Sequence, residues 1–322
     1  MIQIQLMGGL GNQLFQLFTL LAYARRCNAS ALVGIADESV LTAGRSRPTY
    51  WTTLLSALRP LLTSRRIGQQ DGREFFFYRE SSFDYRAIPL IAPSELDTKD
   101  LLLNGYFQSY LYFQRYRFEL LQQLRIPDQQ AIYCLPPCAA VGADDDERVV
   151  RVSMHFRRGD YLAKPDYHPV LTEEYYVTCL TALLNALSSP ASVHVFCFCE
   201  EESRAEVASM LSTIARVVAA GGSRGSKTIL YRLVGSSEDD VAEDWQQLLW
   251  MSACDHHILA NSSFSWWGAY LSPRYMEADH KVYYPRPWFG PAFVDGTTEK
   301  LCPSHWIAVS AAPAAAEMQL VV

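Results

Sequence analysis

The chain reads as an α/β protein of two Rossmann-like, doubly wound domains facing a central cleft. Strand-like apolar runs alternate with helix-length segments in both halves, the pattern of parallel sheets with crossover helices. The alternation breaks once, at an acidic and proline-bearing stretch, and then restarts. At 322 residues the chain is long enough for two cores. The expected division is a first domain over residues 1–145, a second over 146–309, and a tail over 310–322 that frays.

Residues 2–6, Ile-Gln-Ile-Gln-Leu, alternate apolar and polar with the period of a strand. A glycine turn follows, and residues 13–26 form a helix that is apolar on nearly every face and therefore buried. Arg25 and Arg26 close it, where cations suit the helix dipole. A second strand is expected at 31–35. Residues 37–97 mix aromatics, prolines and charges without period and read as loops and short helices. A strand at 101–106 and a helix at 108–124 complete the first half. Pro136, Pro137 and the run Gly-Ala-Asp-Asp-Asp-Glu at 142–147 form the linker. Beyond it, strands are expected at 149–155, 193–199, 228–233, 257–260 and 281–284. Helices are expected at 173–187, 201–218, 240–253 and 265–271. Trp245, Leu248 and Leu249 fall at i, i+3 and i+4, a stripe that faces a core.

Half of the residues, 49%, are hydrophobic and 19% are charged, the profile of an ordered globular chain. A net charge of −6 speaks against nucleic acid as a partner. No apolar run approaches the roughly 18 residues of a membrane span. The apolar stretch 14–24 follows glycines and precedes two arginines, the reverse of a secretory signal. These features place the chain in the cytoplasm. Of eight cysteines, Cys134 and Cys138 stand four apart and Cys197 and Cys199 two apart. Neither pair completes a four-ligand site, so the expectation is reduced thiols and no bound metal. The sequons at Asn28 and Asn261 then carry no glycan.

The segment His155-Phe156-Arg157-Arg158-Gly159-Asp160-Tyr161 directly follows an expected strand. Ligands of open α/β sheets bind at the carboxyl ends of strands. Arginine presents a planar fork of donors that matches phosphate oxygens and stays charged at every working pH. The motif thus suits a clamp for a nucleotide-linked substrate. Gly9-Leu10-Gly11 opens like a dinucleotide fingerprint, but Leu14 stands where the third glycine belongs, which makes a dehydrogenase a poor reading. The glycines still let backbone approach a ligand, and a helix start favours anions.

Four blocks occur together: Met7-Gly8-Gly9-Leu10-Gly11-Asn12-Gln13-Leu14-Phe15-Gln16, Gly105-Tyr106-Phe107-Gln108-Ser109, His155 to Tyr161, and Asn261-Ser262-Ser263-Phe264-Ser265-Trp266-Trp267-Gly268-Ala269. In this combination and order the chain, from residue 1 to about 306, resembles the α-1,2-fucosyltransferases that use GDP-fucose, glycosyltransferase family eleven. The resemblance implies the GT-B arrangement of two Rossmann-like domains, the first mainly on the acceptor side and the second binding GDP-fucose. It implies inverting transfer to the 2-hydroxyl of a terminal β-galactoside. GDP-fucose is then a co-substrate, no further cofactor is needed, and any membrane association is peripheral.

Arg157 matches the first arginine of the family motif and is the implied cation at the leaving phosphate. Strand alternation puts His155 and Arg157 on one side and Arg158 on the other. Asp160 is one candidate base, with Asp166 and Glu173; it would equally support the loop beside Arg158. His155 either contacts the donor or stays buried and hydrogen-bonded. Asn12 either caps its helix or projects toward the donor, as the resemblance implies. Gly9, Gly11, Asn261, Ser262 and Ser263 complete the expected donor site, the serines lying between a strand and a helix. Gln247 stands where the family favours an aspartate that reads guanine, so this task falls to its amide or to Asp244. His168 lies on a neighbouring loop. The competing readings are GDP-fucose with another glycan or a protein Ser or Thr as acceptor, and a non-catalytic nucleotide-sugar-binding protein.

Overall fold

The structure is a computed structural model that describes residues 1–34, 39–42, 45–63, 74–133, 149–187, 192–221, 228–235, 242–293 and 299–311. The chain divides into two compact units, Met1–Tyr133 with Asp295–Pro303, and Cys134–Val294 with Ser304–Val322. The expected boundary at 145 and 146 and the 142–147 linker lie outside the described residues. The segment Asp295–Pro303 groups with the first unit rather than the second. There the Ser109 hydroxyl donates to the Lys300 carbonyl.

In the first unit, β1 (Ile2–Gln5) is the central strand and α1 (Leu10–Arg26) follows it. Next come β2 (Ala31–Gly34), an antiparallel hairpin of β3 (Ser39–Thr42) and β4 (Arg45–Pro48), and β5 (Leu62–Thr63). The unit continues with β6 (Glu74–Arg79), α2 (Pro93–Thr98), β7 (Lys99–Asn104), α3 (Arg117–Gln123) and α4 (Ile126–Ile132). The sheet order is β5-β2-β1-β7-β6, and every pairing is parallel. Helix α1 is buried from Gln13 to Ala24 without a break, as its all-round apolarity requires.

Two expectations change in this unit. Strands β3, β4, β5 and β6 all lie inside the stretch expected to hold loops and short helices; in β6, Glu-Phe-Phe-Phe-Tyr-Arg shows no clean alternation because an edge strand is only partly buried on either face. The helix expected over 108–124 begins only at Arg117. Phe107 adopts φ 54°, and two 3-10 turns, Tyr110–Tyr112 and Gln114–Tyr116, precede the helix.

The second unit holds β8 (Val149–His155), α5 (Glu173–Ala186), β9 (Ser192–Phe198), α6 (Arg204–Ala220) and β10 (Ile229–Leu233). It continues with α7 (Asp244–Ser252), β11 (His256–Ile258), α8 (Ser263–Tyr270), β12 (Val282–Arg286) and β13 (Ile307–Ser310). The order β10-β9-β8-β11-β12-β13 is parallel throughout. Numbered within the unit, this is 3-2-1-4-5-6, the order of the Rossmann dinucleotide fold. One face packs Val150, Val152, Met154, Val193 and Val195 under α5 and α6; the other packs Phe196 and Phe198 against Trp250 and Met251 of α7. Both units are therefore parallel-sheet α/β domains, and the second is wound on both faces. Ser310, expected to open the tail, ends β13 instead; residues 312–322 lie outside the described ones.

Gly268 lets α8 approach α7. A Cβ there would lie 2.7 Å from Met251 Sδ and 3.0 Å from Met251 Cβ. Gly268→Ala should therefore cost about 1–3 kcal/mol by overpacking, read as a lower urea midpoint at unchanged slope. In a Met251→Ala background the same substitution should cost clearly less; strict additivity of the two changes would refute this contact as the cause.

Candidate functional site

The second unit reverses its winding between β8 and β11, and the loops leaving those two strands carry the arginine and asparagine–serine blocks. Phe156 donates its N–H to the Phe198 carbonyl at 2.8 Å and buries its ring 4.2 Å from that of Tyr176. Anchored by this apolar ring, the chain turns outward at Arg157. Its Nη1 pairs with Glu200 and its Nη2 with Asp160, each at 2.5 Å, and its guanidinium lies 5.1 Å from the centroid of the Tyr161 ring. Burial opposes the charge, but Glu200, Tyr161 and Asp160 outweigh it and hold the guanidinium above its ordinary range. Arg157 is a fixed cation, a quarter exposed.

Arg158 turns elsewhere. It donates to the Leu171 carbonyl at 3.0 Å and pairs with Glu206, tying the loop to α6. Asp160 acts through Arg157, since its carboxylate is bound to that guanidinium. Glu200 was not foreseen. It follows β9, the neighbour of β8, and also accepts the Arg158 backbone N–H at 3.3 Å. The readable signal was three consecutive glutamates, Glu200 to Glu202, directly after an expected strand.

His155 ends β8. Its ring is buried, with Nδ1 unpartnered among the described residues, and burial followed by the Arg157 charge pushes its pKa down to about 3. It is a neutral imidazole. Tyr161 stacks on His168 at 4.2 Å and donates its hydroxyl hydrogen to the Asn261 carbonyl at 3.0 Å, which joins the two loops of the switch point. The Asn261 amide in turn donates to the carbonyls of Pro169 at 3.0 Å and Trp288 at 3.2 Å. It thus braces three loops, while its buried Oδ1 has no partner among the described residues.

Ser262 is the N-cap of α8, its hydroxyl accepting the Phe264 N–H at 3.3 Å, and Ser263 is the first, half-buried helical residue. Gln247 lies in α7, whose start faces the same sheet edge by topology; its amide donates to the Ala242 carbonyl at 2.9 Å. Asp244 is exposed at the head of that helix. Asp166 contributes its backbone, with its carbonyl accepting the Ala292 N–H at 2.9 Å. Among the described residues no group of three or more His, Cys, Asp or Glu side chains could hold a metal ion. No helix among them is long and apolar enough to cross a membrane.

The first unit changes winding direction between β1 and β7, and its two sequence blocks meet there. Gly8 adopts φ +81°, and a Cβ on it would lie 2.5 Å from Asn12 Nδ2. The Gln16 amide exchanges two hydrogen bonds with the Met7 backbone, 2.9 and 3.0 Å, and Gln13 donates to the carbonyls of Gly8 and Pro48. Gly9, not Asn12, is the N-cap of α1, and Gly11 is buried in its first turn. Asn12 accepts a hydrogen bond from Gln108 at 2.9 Å, linking the blocks. A side chain at Gly9 would meet nothing within 4 Å. Beside them, Glu80 accepts the N–H groups of Tyr106 at 2.7 Å and Phe107 at 2.9 Å; burial raises its carboxyl to about 7 against the pull of those amides.

Residues 1–276 match the profile of glycosyl transferase family 11. The chain is 28% identical over 164 residues to the O-antigen biosynthesis glycosyltransferase WbnK of Escherichia coli, covering 50% of this chain and 45% of that protein. It is 26% identical over 165 residues to an α-1,2-colitosyltransferase of the same organism, covering 49% and 47%. The chain thus matches about half the length of these curated relatives. Among solved structures, it is similar to E. coli ADP-heptose LPS heptosyltransferase II, with TM-score 0.44, 12% identity, and 96% and 89% of the two chains covered. The Bradyrhizobium fucosyltransferase NodZ gives 0.40 and 12%, with 84% and 92% covered.

Buried neutral histidines also flank the site's strands. Burial holds both His256 and His280 down at about 4 and His257 well below its ordinary range; Ser153 Oγ lies 2.7 Å from His257 Nδ1. A histidine whose pKa is depressed on folding takes its proton first in the unfolded chain. The stability it contributes is complete above its unfolded pKa near 6.5 and is lost as the pH falls toward 4. Each such group costs up to about 1.4 kcal/mol per pH unit within that window. The urea midpoint should therefore drop markedly between pH 7 and pH 4.5, and a flat midpoint over that range would contradict the buried neutral assignment.

Proposed function

Because the chain belongs to glycosyl transferase family 11, we propose that it is an inverting galactoside α-1,2-fucosyltransferase. In this reading L-fucose moves from GDP-β-L-fucose to the 2-hydroxyl of a terminal β-galactoside. One observation carries it: Arg157, paired and stacked, stands at the switch point of a 3-2-1-4-5-6 sheet. That is where nucleotides bind in this topology.

The acceptor oxygen attacks C1 of fucose from the face opposite GDP and gives up its hydroxyl proton to solvent, and the bond from C1 to the β-phosphate oxygen breaks, its electron pair leaving with GDP. Negative charge grows on that phosphate while the sugar gains oxocarbenium character. Arg157 meets the growing charge. Asp160 accepts a hydrogen bond from Nη2 and Glu200 forms an ion pair with Nη1, and in this reading donors of the five-N–H fork turn to phosphate oxygens. Asp160 and Glu200 fix the fork before the substrate arrives, which is electrostatic preorganisation. The amino end of α8, with Ser263, supplies further N–H donors to the diphosphate. His155, neutral and buried, adds no competing positive charge. An oxocarbenium-like path asks little of a general base. Because Arg157 neutralises the leaving group, no divalent metal is required.

A second reading keeps this mechanism and changes the donor sugar to colitose, as the likeness to the α-1,2-colitosyltransferase suggests. Incubation with GDP-fucose or GDP-colitose, each with a panel of β-galactosides and excess EDTA, separates the readings. The expected product is an α-1,2-linked fucoside, assigned by NMR, formed at little reduced rate in EDTA. A β-linked fucose would refute inversion, and full loss restored only by Mn²⁺ would refute metal independence.

Arg157→Ala should lower turnover by roughly 10²–10³-fold, the scale of one preorganised donor. Arg157→Lys should fail nearly as badly, because an ammonium is a point charge rather than a planar fork. Arg158→Ala should instead lower the thermal midpoint. Near-normal turnover in both Arg157 variants would remove that residue from the mechanism.

A further inference from the structure

At the carboxyl edge of the first unit's sheet, a carboxylate stands among aromatic rings. Glu80 directly follows β6 and joins β7 through its N–H, which donates to the Asn104 carbonyl at 2.8 Å. Gly105 follows β7 with φ +159°, and a Cβ there would lie 2.4 Å from Glu80 Cβ, so the two chain ends touch. One carboxylate oxygen, Oε2, accepts both backbone N–H groups of the turn. Around it, Phe83 and Tyr106 stack with ring planes 9° apart and centroids 6.1 Å apart, and Tyr78 stacks on Phe107 at 6.4 Å. Tyr85 packs edge-on against Tyr112 at 4.8 Å. Phe107 and Tyr112 are buried, but Tyr78, Phe83, Tyr85 and Tyr106 are only half-buried, so each keeps part of its ring uncovered.

A half-buried carboxylate is a costly way to hold two amides, since an uncharged acceptor would satisfy the same N–H groups without desolvating a charge. An ionised carboxylate offers two oxygens and about four acceptor sites, and the turn uses only one oxygen. Aromatic faces cover the C–H patches of a pyranose, while a carboxylate accepts hydrogen bonds from its hydroxyls. That combination of ring and acid is the chemistry of a sugar subsite.

We propose that Glu80, with the partly uncovered rings of Phe83, Tyr85 and Tyr106, forms a pyranoside-binding subsite that takes the acceptor sugar. The subsite deepens the transferase reading and rests on it only for the identity of the sugar as acceptor. The ligand is a neutral hexopyranoside with adjacent free hydroxyls, stacked by its apolar face and held by two hydroxyls on the acid.

The test measures lactose binding by saturation-transfer NMR on the full chain, alongside acceptor and donor KM. Phe83→Ala and Tyr85→Ala remove uncovered ring surface. Glu80→Gln keeps an amide oxygen for the turn but withdraws the charge. The expected result is a rise of about tenfold in acceptor KM and loss of the lactose signal in each variant, with donor KM within twofold of the parent. If Glu80→Gln lowers the thermal midpoint, the two ring variants decide. Unchanged lactose binding in both ring variants, or an equal rise in donor KM, overturns the subsite. Saturation transfer to lactose that vanishes in the variants of a chain with no transferase activity would uphold the subsite while the proposed function fails.

Discussion

Parallel pairing is the constraint on which the molecule depends. A parallel strand cannot return by a tight turn; each connection crosses over the sheet, so every strand ends at the same edge. When β9 and β10 add to one side of β8 while β11, β12 and β13 add to the other, the loops after β8 and β11 diverge from adjacent strand ends. Arg157 and Asn261 are about a hundred residues apart in the chain, yet the Tyr161 hydroxyl bonds the Asn261 carbonyl at 3.0 Å. In the first unit β1 and β7 do the same for Asn12 and Gln108, joined at 2.9 Å.

Around this frame the polar groups divide into those used up inside the protein and those only partly used there. Arg158, Gln13, Gln16 and Ser262 each spend their side chains on the backbone or on a neighbouring element. Asn261 spends its amide nitrogen in the same way but leaves its oxygen without a partner among the described residues. Arg157 is different: two carboxylates and an aromatic face fix its position. A cation left without anions in so covered a place would be costly, and carboxylates that filled every donor would block a phosphate. Asp160 and Glu200 strike the balance by each taking one terminal nitrogen.

The family motifs are accordingly mixtures of scaffold and site. In the opening block Gly8 exists for its φ of +81° and for the space that Asn12 occupies, while Gln16 locks the loop to the helix. In the last block Trp266 and Trp267 are fully buried and Gly268 admits Met251. Ser263 and Phe264, at the helix start, are the residues of that block that stay partly exposed.

The sequence by itself determined the α/β class, the two-part organisation, the buried helix after β1 and the family, because apolar periodicity and contiguous motifs are local and survive without coordinates. Every strand expected in the second half is present, and the burial of His155 was among the alternatives it allowed. It did not show β3, β4 and β5, which are too short to carry a period, nor β6, whose edge position spreads burial over both faces, nor β13, which lies beyond the last alternating segment. Nor could it show Glu200: its importance comes from β9 lying beside β8, and strand order has no local signature. The tertiary structure alone decided which carboxylates hold Arg157, that Asn12 answers Gln108 instead of capping α1, and that Glu80 sits among half-covered aromatic rings. Each of these depends on parallel strands bringing distant chain ends to one edge, a long-range packing outcome that no local pattern encodes.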